Sequence, residues 1–211
     1  MGKRLKSSPK ETSVKLRGKD GFETYYSSLF GARWEQLKKS LFSEPVYAEW
    51  KAGGTDSYFL DPASVFAALQ LPLCGAESIL DLCAAPGGKT LVLASRMPEN
   101  AVLVSNERSS ARKQRLSAVC ASCLPEDIQT RVKISCSDGA KWCLTQTECY
   151  DRILLDVPCS SERHVIQDEK YLGEWSPARI KTLSMELFTL TSHLSHQGHC
   201  LAATINTIKI V

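Results

Sequence analysis

Apolar residues recur at helical spacing from Gly21 to Trp50, where Phe22, Tyr25, Tyr26, Leu29, Phe30, Trp34, Leu37, Leu41 and Phe42 lie mostly three or four apart. Gly31 interrupts the run, so the pattern predicts two short helices in an auxiliary segment. The turn-rich stretch Lys51 to Asp56, with Gly53-Gly54, follows and places a domain boundary near Gly53. Asp61 and Pro62 then open an apolar helix over Ser64 to Leu71, with Asp61 as the capping residue and Pro62 in the first turn.

From Ser78 the pattern changes to short apolar runs alternating with longer amphipathic ones. Strands are expected at Ser78 to Leu82, Ala101 to Ser105, Arg131 to Ser135, Arg152 to Val157 and Cys200 to Thr204. Helices are expected at Gly88 to Met97, Ser109 to Cys123, a short one from Gly139, and a long one from Pro177 to Ser195. Such alternation specifies an α/β fold, a parallel sheet covered on both faces with ligand sites at the carboxyl ends of its strands.

Composition narrows the class. A chain of 211 residues with 43% hydrophobic and 23% charged residues has room for one full domain and an appendage, and collagenous, disordered and disulfide-dense classes are excluded. Nine cysteines, an odd number without a repeating spacing, read as reduced thiols. Cys120-Ala-Ser-Cys123 lacks the second pair that a structural zinc needs, so no metal is expected. No apolar run approaches the roughly 18 residues of a membrane span, and residues 1–20 hold no stretch that could serve as a signal-peptide core, so the expectation is a cytoplasmic protein without a membrane partner. Residues 1–20 carry seven Lys and Arg against two Asp and Glu, leaving the rest of the chain close to neutral. A flexible basic arm of this kind suits a phosphate-backbone contact, and equally a solvated tail.

The chemistry concentrates at the strand ends. Ile79 to Leu82 runs into Cys83-Ala84-Ala85-Pro86-Gly87-Gly88-Lys89-Thr90, a strand entering a glycine turn that opens a helix, where backbone N–H groups can approach a polar ligand. The spacing matches neither a P-loop nor the G-x-G-x-x-G turn. Acidic residues follow three further strands: Glu107, in position to accept the hydroxyls of a ribose, Asp138, and Asp156, which precedes Val157-Pro158-Cys159-Ser160.

Asp81 to Thr90 together with Asp156 to Ser160 resembles the NOL1/NOP2/sun family of S-adenosylmethionine-dependent RNA cytosine-5 methyltransferases. Tyr25-Tyr26, Phe30-Gly31, Trp34, Asp61-Pro62-Ala63-Ser64 and the stretch from Asp156 to Arg163-His164 most resemble the branch that contains the mitochondrial small-subunit ribosomal RNA enzyme. The resemblance runs from about Gly21 to Thr204. It implies a Rossmann-like class I methyltransferase sheet over residues 54–211, a helical RNA-contacting segment over 21–53, a basic arm over 1–20, and RNA, in particular ribosomal RNA, as partner. It implies S-adenosyl-L-methionine as cofactor, held by Cys83, Ala84, Ala85, Pro86, Gly87, Gly88, Lys89, Glu107, Asp138 and Asp156. Lys89 and Asp156 would also face the extruded cytosine, and Arg163 and His164 would contact RNA.

Cytosine C5 is a weak nucleophile, so the reaction needs a thiolate that adds at C6. The family's nucleophile is a cysteine at the end of strand five, where this chain has Ile205. The family pattern ends at Thr204, which implies a sheet lacking its last strands. Three readings stay open: a truncated gene product, a catalytically inactive module that retains cofactor or RNA binding, and an enzyme in which Cys159 takes over the attack. A methyltransferase for protein or a small molecule is a weaker alternative, because it has no need of Pro158-Cys159. His193, His196 and His199 are read as solvent-facing, and the aromatics of residues 22–50 as packing more than as a base-stacking platform.

Overall fold

The computed structural model describes residues 16–141, 149–157, 160–195 and 200–203. Its centre is a five-stranded, fully parallel sheet made of β3 (Ser78–Asp81), β4 (Val102–Asn106), β5 (Val132–Ser135), β6 (Arg152–Leu155) and β7 (Cys200–Ala203), in the order β5-β4-β3-β6-β7. These are the five strands the sequence specifies, each shifted or shortened at its ends by one or two residues. The chain winds outward in one direction through β4 and β5 and in the other through β6 and β7. The crevice between the carboxyl ends of β3 and β6 is therefore the topological switch point where open α/β sheets bind ligands.

Strand alternation sorts the apolar residues onto two faces. Ile79, Leu103 and Leu154 pack beneath α3 (Pro62–Leu69), α4 (Gly88–Ala94) and α5 (Ser110–Cys123). Leu80, Ile153 and Leu155 form the opposite core with Leu187 and Leu190. Asp61 caps α3 as its sequence position predicts, accepting from the N–H groups of Ala63 (2.9 Å) and Ser64 (3.3 Å). At the amino ends of the strands, Asp151 accepts from the backbone N–H of Glu77 (2.8 Å) and Ser78 (2.9 Å), which pins β6 to β3 and lowers its pKa below the ordinary value.

The amino-terminal segment departs from the all-helical expectation. α1 (Gly18–Phe30) ends at Gly31, whose φ of +55° lies where only glycine is comfortable, and one 3-10 turn leads into α2 (Trp34–Phe42). Ala48–Trp50 is a strand, β1, paired antiparallel with β2 (Tyr58–Leu60). The boundary placed near Gly53 thus falls inside the turn of this hairpin, which is bonded to the end of α5: Gly54 N–H donates to Cys123 O (2.9 Å) and Asp56 N–H to Ser122 O (3.0 Å).

Three short elements, α6 (Glu126–Gln129), α7 (Glu162–Gln167) and α8 (Glu169–Glu174), were not specified by the periodicity, and the long helix α9 (Ala178–Ser195) was. α7 and α8 complete a second core with α1 and α2, built from Phe22, Tyr26, Trp34, Leu41, Val165, Ile166 and Trp175. Its rings touch at centroid distances of 4.6 Å (Phe22–Tyr26), 5.2 Å (Tyr26–Trp34) and 5.3 Å (Phe22–Trp175), so these aromatics pack with one another. Among the described residues, no helix is long and apolar enough to cross a membrane, and no cluster of His, Cys, Asp or Glu could hold a metal ion. Cys120 and Cys123 are buried free thiols of α5.

Candidate functional site

The turn between β3 and α4 is shaped by close packing. Gly87 has a φ of +122°, and a Cβ there would lie 3.0 Å from Val119 Cγ1, so α5 closes over the turn only because the side chain is absent. A Cβ on Gly88 would lie 2.9 Å from the ring of Tyr58, which seats the hairpin directly on the same turn.

Asn106, the last residue of β4, holds the neighbouring strand ends in place. Its amide donates to Leu82 O (3.1 Å) and Ser137 O (3.0 Å), and its Oδ1 accepts from Ser135 Oγ and Ser137 Oγ (both 2.9 Å). The next residue, Glu107, is buried. It accepts from Ser109 N–H (2.9 Å) and pairs with Arg112 (3.2 Å), whose guanidinium also donates to Ala85 O (2.6 Å). One arginine therefore links the acidic strand end to the glycine turn, a contact that the sequence reading missed.

Asp81 lies at the bottom of the turn, fully buried. Thr90 Oγ1 donates to its Oδ2 (2.8 Å), and its Oδ1 has no hydrogen-bond partner among the described residues. Burial raises its pKa to about 7, with the charges of Asp156 and Glu107 adding to the shift and the Thr90 bond and Lys89 opposing it. Burial, with the charges of Asp81, Glu107 and Asp156, pushes the Cys83 thiol up to about 12, so Cys83 stays protonated at ordinary pH.

In front of the turn, Lys89 Nζ pairs with Asp156 Oδ2 at 2.6 Å, both side chains largely buried, and donates to Ser64 Oγ at 2.9 Å. Ser64 Oγ in turn donates to Asp61 Oδ2 (2.7 Å), so the cap of α3 orients the lysine from behind. Ser64 contacts Lys89 from 25 positions upstream, with Asp61 behind it, and nothing in local spacing signals that.

These groups open into a cavity of about 910 Å³. Of the residues singled out from sequence, Cys83, Ala84, Ala85, Pro86, Gly88, Lys89, Asp156 and Arg163 line it. Gly87, Glu107, Asp138 and His164 do not. Asp138 instead accepts from Ala140 N–H (3.2 Å) just past β5. Arg163 spends its guanidinium on the carbonyls that end α2, donating to Ser40 O (3.0 Å), Leu41 O (3.3 Å) and Ser43 O (2.5 Å). His164 is exposed, its ring 5.0 Å from that of Tyr171. Cys159 and Ile205 lie outside the described residues, as do most of the basic arm and His196 and His199.

The chain is similar to known methyltransferases. The bovine (Bos taurus) 5-cytosine rRNA methyltransferase NSUN4 is 41% identical over 121 residues, which cover 56% of this chain and 31% of that protein. Ribosomal RNA small subunit methyltransferase F of Escherichia coli is 32% identical over 156 residues, covering 72% and 31%. The chain thus spans about a third of the length of these curated relatives. A methyltransferase homolog protein from Pyrococcus horikoshii superimposes with a TM-score of 0.62 at 16% identity, over 85% of this chain and 70% of that one, which shows a shared fold. Residues 68–206 match the family described as 16S rRNA methyltransferase RsmB/F, and the chain belongs to that family.

Proposed function

We propose that this chain binds S-adenosylmethionine and an unpaired cytosine of RNA, in particular ribosomal RNA, for methylation at C5. The observation that carries the reading is the Lys89–Asp156 pair, held at 2.6 Å in the wall of the cavity beside the Cys83 to Gly88 turn. The residues present suit the cofactor. Glu107, buried at the end of β4 just outside the cavity lining, keeps acceptor lone pairs for ribose hydroxyls beside its bonds to Ser109 and Arg112, and the orphaned Oδ1 of Asp81 leaves an unused polar atom beneath the turn.

When bound, the cofactor supplies an electrophilic sulfonium methyl group. The chain's own part is to hold the base and adjust its protonation. Asp156, kept in place by Lys89, would face N3 and N4 of the extruded cytosine and assist thiolate addition at C6. Ile205 offers no thiol at the family's position, so in this chain the addition at C6 would fall to Cys159. The relatives' names, which specify 5-cytosine rRNA methylation and the small ribosomal subunit, support the reaction class and the RNA.

Two measurements test the reading. Equilibrium binding of S-adenosylmethionine should be present in the unaltered chain and fall at least tenfold in Glu107→Ala, about the loss of one charged hydrogen-bond pair. Labelled methyl transfer to unmodified small-subunit ribosomal RNA should be weak in the unaltered chain and rise in Ile205→Cys. Transfer by the unaltered chain that vanishes in Cys159→Ala would assign the attack to Cys159. No transfer by any variant, with cofactor still bound, would leave a binding module.

A further inference from the structure

We propose that Tyr47 and Phe59, on the outer face of the β1–β2 hairpin, form with Arg179 a binding site for the unpaired nucleotides that flank the target base. The inference rests on the RNA reading above and adds to it where the strand lies. The hairpin register sets Ala48 opposite Leu60, Glu49 opposite Phe59 and Trp50 opposite Tyr58. Leu60, Trp50 and Tyr58 pack into the sheet core. Alternation along the strands then turns Glu49, Phe59 and the preceding Tyr47 to the other face.

Phe59 is 61% exposed and Tyr47 58% exposed, and both line the 910 Å³ cavity that holds Lys89 and Asp156. An outer hairpin face with no partner ordinarily carries polar residues, as Glu49 and Lys51 do here with an ion pair of 3.6 Å. Two large rings left uncovered in the wall of the site call for a flat apolar partner. The inner face of the hairpin rests on Gly88, which fixes the rings relative to the cofactor turn.

Charge selects among flat partners. Arg179, exposed in the first turn of α9, lines the same cavity and has no ion pair or hydrogen bond among the described residues. Arg112 and Arg163 line it too, but Arg112 is paired with Glu107 and Arg163 donates to the carbonyls that end α2, which leaves Arg179 to meet a phosphate. Rings beside uncommitted arginine are what a single strand needs, because every base has a face to stack and every linkage a phosphate to neutralise. An apolar peptide would use the rings and leave Arg179 idle.

The test uses the full chain with S-adenosylmethionine and a fluorescein-labelled, cytosine-containing single-stranded ten-nucleotide RNA, its affinity read by anisotropy across a salt series. Tyr47→Ala and Phe59→Ala should each weaken binding by about 5- to 150-fold with the salt slope unchanged, the range for loss of one stacked base. Arg179→Ala should weaken binding and reduce the slope by about 0.7. Phe66→Ala, which removes an exposed ring that does not line the cavity, should leave affinity as it is. Abasic residues beside the cytosine should weaken binding to the unaltered chain and cost little more in the Tyr47→Ala, Phe59→Ala double variant. Salt-dependent RNA binding that ignores both ring substitutions would overturn the stacking site and leave the proposed function standing. Absence of RNA binding by the unaltered chain, with cofactor bound normally, would overturn both.

Discussion

Asp81 occupies a position where strand β3 must stop and a tight turn begin, and its surroundings favour the neutral acid. The folded pKa of about 7 stands above the roughly 3.9 of an unfolded aspartate. Between those values the native chain keeps a proton that the unfolded chain has released, so this residue makes stability fall as pH rises from about 4 to 7, with no further change above. Asp81→Asn, which preserves an acceptor for Thr90, should remove that slope. In urea unfolding without cofactor, the variant should gain on the unaltered chain across this interval, by at most about 4 kcal/mol. Parallel pH profiles for the two proteins would show that Asp81 is ionised in the fold. Burial and the neighbouring carboxylates also hold the thiol of Cys83, which lines the cavity, in its protonated form.

At the scale of elements, the contact that joins the amino-terminal helices to the rest is a buried polar one. Tyr26 in α1 donates to Glu162 Oε1 at 2.7 Å, and Ser160 donates to the same oxygen, while Glu162 Oε2 finds no partner among the described residues. Burial and the adjacent carboxylate push the Tyr26 phenol well above its usual range, so it remains a donor at any working pH. Tyr26→Phe keeps the ring contacts with Phe22 and Trp34 and strips a donor from a buried carboxylate. It should cost about 1–3 kcal/mol in denaturant unfolding, and a cost below about 0.5 kcal/mol would mean that this bond does not join the two parts of the fold. Such pairing, across 136 positions of sequence, is one reason the chain could be read only in part. The sheet strands were legible because β3, β4 and β6 are short apolar runs that end in or beside an acid, and Lys89 and Asp156, which line the cavity, were singled out from the turns that follow such runs. β1 and β2 are three residues each, too short to show alternation, and Trp50 at the end of an aromatic helical run read as its continuation. α7 and α8, six residues each, are held by packing on α1 and α2 and carry no periodic signal of their own. Arg112 bridging Glu107 to Ala85, and Ser64 behind Lys89, depend on which helices meet, and only the assembled fold supplies that.

For the whole molecule the question is whether the aromatic helical core and the sheet core unfold together. α9 answers it structurally, because Ile180 near its start packs against the helical core while Leu187 and Leu190 pack under the sheet. Its 18 residues make one rod of roughly 27 Å, so the two cores share a rigid member that neither can release alone. The cavity wall is shared too, with Ser43 and Arg163 on the helical side and Ala84 and Lys89 on the sheet side. A variant with Trp50→Phe and Trp142→Phe keeps Trp34 and Trp175, both buried in the helical core, as its fluorescent reporters. Urea unfolding followed by their fluorescence should coincide with the loss of far-UV circular dichroism, as a single cooperative unit requires. Ile180→Ala, at a partly buried position, should shift both curves together by about 1–2 kcal/mol, below the roughly 2–5 kcal/mol of a fully buried isoleucine. Fluorescence that changes at lower urea than the dichroism, in either protein, would mean that the helical core opens first and that the cavity wall it supplies can swing away from the glycine turn.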